Sequence, residues 1–119
     1  MSYSTPTTGT YRFPAQTLTT GATLGRIIGP KGKHGRVNAV GVVVTTGVTV
    51  AATTVTVGTE ADVDAYASLT VPVTAANLGV NGPTLVSGHE LPADTIVAVA
   101  TGGGCTAGAG DILVIIDWY

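Results

Sequence analysis

Valine and threonine recur through nearly every stretch of this chain, and glycine or proline interrupts the runs every few residues. Both residues are β-branched, so their side chains are stiff and suit a pleated, half-buried surface better than a helix. With 17 Gly and 6 Pro as punctuation, the pattern predicts many short strands joined by turns. A chain of 119 residues has room for one domain. The expected fold class is therefore all-β: an antiparallel β-sandwich of jelly-roll or related Greek-key topology.

Local patterns place the strands. Residues 1–9 are polar and aperiodic and read as an extended N-terminal arm, leaving 10–119 as the single β-sandwich domain. Thr10-Tyr11-Arg12-Phe13 starts the first strand, and Pro14, having no N–H, is expected to end its ladder. Short strands follow over 16–20 and 22–28. Residues 36–44 are apolar on both faces, as suits a central strand. Valines take even positions at 48 and 50 but odd positions at 55 and 57, which requires a bulge or turn near 51–54. Thr59, Glu60, Asp62 and Asp64 suggest up to two helical turns over 59–67, and 74–78 suggests one more. Pro72 marks 69–73 as an edge or bulged strand. Strands are expected over 84–87, 95–100 and 112–118, the last buried, with residues 102–110 a flexible glycine-rich loop before it.

Charge narrows the function. Only 10% of residues are charged and the net charge is −2, whereas nucleic-acid binding needs concentrated Lys and Arg. No apolar run approaches the ~20 residues of a membrane span, and the N-terminus has no secretory pattern. One cysteine, Cys105, forms no internal disulfide, in keeping with assembly in a reducing compartment. Arg26, Lys31, Lys33 and Arg36 fall in one stretch while the acidic residues begin at Glu60. This asymmetry suits head-to-tail alignment of copies or an acidic partner, besides a plain solvated loop.

Candidate chemical motifs fail on named positions. In the loop Gly29-Pro30-Lys31-Gly32-Lys33-His34-Gly35, a phosphate-binding pattern would put Ile27 at its first glycine and His34 at its hydroxyl position, and a strand follows instead of a helix. The run Gly102-Gly103-Gly104-Cys105-Thr106-Ala107 likewise leads into a strand. Cys105 with His34 or His89, oriented by Asp94 or Asp111, would make a nucleophile and base, but no spacing demands it. Glu60, Asp62 and Asp64 lack the glycine and distant glutamate of a calcium loop. No catalytic residue, metal site or cofactor is expected.

The aromatics gather at the chain ends: Tyr3, Tyr11, Phe13, Trp118 and Tyr119, with Tyr66 between. Large amphipathic rings favour interfaces, although terminal strands that pair would also bring these rings together. The candidate protein-interface residues are Tyr3, Tyr11, Arg12, Phe13, Arg26, Lys31, Lys33, Arg36, Trp118 and Tyr119.

Three features together resemble a known family: Gly29-Pro30-Lys31-Gly32-Lys33-His34-Gly35-Arg36-Val37 leading into a Val-rich strand; Val57-Gly58-Thr59-Glu60-Ala61-Asp62-Val63-Asp64-Ala65-Tyr66; and a glycine-rich loop before a strand ending Asp117-Trp118-Tyr119. They resemble the small all-β decoration or cement proteins of tailed-bacteriophage capsids. The resemblance implies a structural protein, not an enzyme, made in the bacterial host cytoplasm and placed on the virion exterior. Its partners would be the major capsid protein and itself, as a homotrimer in preference to a homodimer, with no nucleic acid or membrane. The alternative is another phage structural module, for head closure, the tail or receptor binding.

Overall fold

The computed structural model describes residues 7–19, 21, 23–85 and 90–119, and all the regular elements among them are strands. In chain order these are β1 (Thr7–Thr17), β2 (Thr23–Ile28), β3 (Gly35–Thr49), β4 (Thr53–Gly58), β5 (Ala67–Val71), β6 (Leu78–Asn81), β7 (Thr84–Leu85), β8 (Ile96–Thr101) and β9 (Ala107–Trp118). They form two antiparallel sheets, ordered β1-β9-β3-β6 and β2-β8-β4-β5-β7. The sheets pack face to face as a sandwich.

The inner faces follow the alternation of the sequence. Ile112, Val114, Ile116 and Trp118 of β9 point inward beside Val37, Val40, Val42, Val44 and Val48 of β3. Val55, Val57, Leu69, Val71, Val97 and Val99 oppose them from the second sheet. The valines of β3 change phase because the register shifts between Val37 and Ala39, so Asn38 absorbs one residue and the inward set moves from odd to even positions. The further phase change before β4 is a turn in which the chain leaves one sheet for the other.

Several local expectations are corrected. The first strand begins at Thr7 rather than Thr10, since Thr8 and Gly9 already pair with Asp117 and Ile116; residues 1–6 of the expected arm, including Tyr3, lie outside the described residues. Pro14 does not end that strand. It sits in a bulge between Phe13 and Gln16, after which pairing to β9 resumes at Gln16 and Thr17. A bulge on an edge strand is the place where a missing N–H costs no ladder bond.

No helix forms over 59–67. The Thr59 hydroxyl accepts from the Asp62 N–H at 3.0 Å, as a cap would, but the Tyr66 N–H reaches back to the Val57 carbonyl at 3.0 Å. Burial of Tyr66 and pairing of β5 on β4 therefore turn the segment into a loop. Residues 74–78 are not helical either: Thr74 bridges Val48, and the Asn77 N–H donates to the Val44 carbonyl at 2.7 Å. The strand expected over 69–73 stops at Val71, before Pro72, and lies between β4 and β7 instead of at an edge. Of the strand expected over 84–87, Thr84 and Leu85 are described.

The glycine-rich stretch is only partly a loop, because β9 starts at Ala107. Gly110 is buried inside the strand, where a Cβ would lie 2.5 Å from the Val43 carbonyl oxygen. It is there for close backbone approach, not for mobility. The two faces of β9 differ in a testable way. Ile116→Ala removes a fully buried side chain and is expected to lower unfolding stability by about 2–5 kcal/mol, while Leu113→Ala on the outer face changes it by roughly 0.5 kcal/mol or less; urea denaturation of both variants measures the contrast.

Candidate protein-contact surface

One end of the sandwich is organised around Trp118. Its indole is buried, and its N–H donates to the Tyr11 hydroxyl at 2.8 Å. Cβ atoms at Gly29 and Gly35 would stand 2.4 and 2.6 Å from the ring, so both glycines are needed for it to lie flat against the backbone. Those two glycines are the feet of the basic loop. The ring thus fixes where the loop leaves β2 and where it enters β3.

The loop itself is held by backbone contacts. The Lys33 N–H donates to the Pro30 carbonyl at 3.2 Å, and the Gly32 N–H donates to the Asp94 carboxylate at 3.0 Å. His34 and Tyr119 exchange two backbone hydrogen bonds, each 2.9 Å, and their rings stack with centroids 6.4 Å apart. Gly35 exchanges another pair with Leu91. A segment that its composition marks as a solvated loop is therefore tied down at five of its seven positions, 30 and 32–35.

The candidate interface residues separate into three groups. Trp118 is a core residue, 3% exposed, and Tyr11 and Phe13 pack against the core from β1. Pairing of β1 with β9 accounts for the meeting of these rings, the alternative that the sequence left open beside an interface role. Arg12 and Arg26 are exposed but paired within the chain: Arg12 with Asp111 at 2.8 Å, and Arg26 with Glu60. Exposed pairs of this kind contribute little stability. Lys31, Arg36 and Tyr119 are exposed and Lys33 is partly so, all at the Trp118 end.

Apolar side chains join them there. Ile28 and Ile96 are directly cross-strand on the outer face of the second sheet, 75% and 50% exposed. Midway along the outer face of the first sheet, away from that end, Arg12, Ala39, Gly41, Val43, Asp111 and Leu113 line an open groove of ≈ 500 Å³. Pattern reading missed Ile28 and Ile96, although their placement on the face opposite Ile27 and Val97 follows from strand alternation alone.

The ionisable groups proposed for chemistry are not brought together. Cys105 is buried near the far end, its thiol donating to the Leu18 carbonyl at 3.3 Å, whereas His34 stacks on Tyr119 at the Trp118 end. His89 lies outside the described residues. Asp111 serves the fold, since its carboxylate accepts the Ala15 N–H at 2.8 Å and the Arg12 guanidinium at 2.8 Å. Ala15 is the bulge residue with φ of 54°, so the carboxylate holds the kink that Pro14 begins. The backbone N–H first, and then Arg12, draw the Asp111 pKa below the ordinary carboxylate value. Burial, and then Asp62, push the Tyr66 phenol up.

No family model and no curated protein matches the chain.

Two outcomes check this description. The folded pKa of Asp111 lies below its unfolded value, so its stabilisation is full above the ordinary carboxylate range and is lost as pH falls through the lowered value. The gap in thermal midpoint between the unchanged protein and Asp111→Asn should accordingly be largest near neutral pH and close on acidification. Gly29→Ala should displace the indole, costing about 1–3 kcal/mol. Trp118 is the sole tryptophan, so a red shift of its emission reports the displacement directly.

Proposed function

We propose that the chain is a structural virion protein, a decoration or cement protein that binds the outer surface of a tailed-phage capsid and strengthens contacts between shell subunits. The observation that supports this reading most is the Trp118 end. A basic loop is held rigid there beside two exposed isoleucines and an exposed tyrosine. A loop backbone already fixed before contact suits a protein partner, because less ordering entropy is lost on binding.

In this proposal Lys31, Lys33 and Arg36 meet acidic capsid surface, and Ile28, Ile96 and Tyr119 supply apolar contact. The major capsid protein is the partner, and the chain acts as a homo-oligomer, a trimer in preference to a dimer. Several weak contacts joined in one assembly then act as one strong contact. A jelly-roll strand order and a gripping role for residues 1–6 belong to the same proposal.

The test compares shells of one capsid protein assembled with and without this chain. Shells carrying it should open at higher temperature or pressure, and equal stability would sink the cement role. Labelled protein that adheres to host cells instead of shells would favour a receptor-binding module.

A further inference from the structure

Asparagine stands at positions 38, 77 and 81, and glycine follows it only at Asn81-Gly82. Asn38 is followed by Ala39 and donates through its side-chain amide to Asp117 at 3.1 Å. Asn77 is followed by Leu78, and its own N–H is tied to the Val44 carbonyl at 2.7 Å. Asn81 closes β6, the short strand at the edge of the first sheet. It is exposed, and among the described residues its side-chain amide has no hydrogen-bond partner.

Glycines surround that amide. Gly41 is the cross-strand partner of Asn81, Gly79 precedes it by two residues on the same face, and Gly82 follows it in the chain. Added Cβ atoms at Gly79 and Gly82 would meet nothing within 4 Å, so both positions border open space. No side chain at the three positions packs against the carboxamide or limits its rotation. Gly82 has a φ of 88°, which glycine adopts without strain. There the pairing with β3 ends and the chain crosses to the second sheet, where Thr84 pairs with Ser68. The Gly82 N–H donates to no backbone carbonyl among the described residues.

We propose that Asn81-Gly82 is a site of spontaneous covalent modification, at which Asn81 loses its amide and the isoaspartyl product frees β6 from β3. The inference goes beyond the capsid reading and does not depend on it. Hydroxide removes the Gly82 N–H proton, and the nitrogen attacks Cγ of Asn81. The bond between Gly82 N and Cγ forms, the Cγ–Nδ2 bond breaks, and Nδ2 leaves as ammonia with a proton from water, which restores the hydroxide. Water then opens the cyclic imide at one of its two carbonyls. Breaking the bond from Gly82 N to Cγ leaves aspartate, whereas breaking the bond from Gly82 N to the main-chain carbonyl carbon leaves isoaspartate. A Cβ on the attacking residue would crowd the approach, and glycine has none. Asn81 must leave extended geometry for the ring to close, and the last residue of a four-residue edge strand opens at small cost.

The two products differ in what they do to the fold. Both bring a negative charge into the groove that Asn81 lines with Arg12 and Asp111. Isoaspartate also lengthens the backbone by one carbon at the last β3–β6 pair, Gly41 with Asn81. Val80 is the residue of β6 that packs against the core, so the strand is held mainly by its ladder. Losing that ladder turns residues 41–44 of β3 into an open edge, a template for another strand.

The test incubates the full chain at neutral and mildly alkaline pH and follows positions 38, 77 and 81 by peptide mass mapping, with an isoaspartyl methylation assay and hydrogen exchange on the aged protein. Position 81 should convert from amide to acid faster than 38 and 77 by about tenfold or more, at a rate that rises in proportion to hydroxide. Asn81→Gln should keep its amide, because its longer side chain closes a larger ring. The aged protein should lose exchange protection at 78–81 and 41–44, while freshly made Asn81→Asp, which carries the charge without the extra backbone carbon, keeps it. An amide at 81 that lasts as long as those at 38 and 77 would overturn the proposal, and this measurement needs no variant. Isoaspartate formation with unchanged exchange would overturn the release of β6, as would an equal loss of protection in Asn81→Asp, which would assign the effect to charge.

Discussion

β9 is hydrogen-bonded on both sides, to β1 along one flank and to β3 along the other, and the rest of the structure is arranged around that double pairing. A strand with two neighbours must match two registers at once. Both neighbours accommodate it with irregularities of their own: β1 at Pro14 and Ala15, β3 at Asn38 and again beyond Val44. Each of the first two has a local support. The Asp111 carboxylate of β9 itself holds the one in β1, and Asn38 donates to Asp117 of β9 at 3.1 Å beside the one in β3. Side chains on the outer face of the central strand therefore pin the bulges that let its inner face stay in register. Because β9 meets a strand about a hundred residues earlier, these contacts are long-range and closing them carries a high loop-closure entropy cost.

Trp118 extends this logic to the surface. The ring closes the core at the end of β9, and by lying on Gly29 and Gly35 it also fixes the loop between β2 and β3. A large rigid side chain buried under a short glycine-flanked loop transmits the order of the core to residues that have no burial of their own. That is how Lys31 and its neighbours come to have defined positions without being packed.

Much of this was legible in the sequence because alternation is a local property. The alternation at Val55 and Val57 and the central place of the Val-rich segment starting at Arg36 could be read from spacing, whereas 112–118, apolar on both faces, gave no sign that Ile112, Val114 and Ile116 turn inward while Leu113 is exposed. What was hidden depended on partners distant in sequence. Gly108 and Gly110 look like loop residues until Leu18 and β3 are placed against them. Thr59 makes the capping bond that suggested a helix, yet the pull of Tyr66 into the core redirects the chain. The aromatic clustering at the two chain ends was visible, but only the β1–β9 pairing decides that Tyr11, Phe13 and Trp118 turn inward while Tyr119 does not.

The charge pattern shows the same difference between order along the chain and order in space. Along the chain, basic residues come early and acidic residues late, which suggests a dipolar molecule. Folding cancels that arrangement, since Arg12 meets Asp111, Arg26 meets Glu60, and the backbone of the basic loop binds Asp94. The connections 50–52, 72–77 and 102–106, by contrast, carry no charged residue of their own. Separated signs would steer association from a distance, with an effect that salt screens away within about 10 Å.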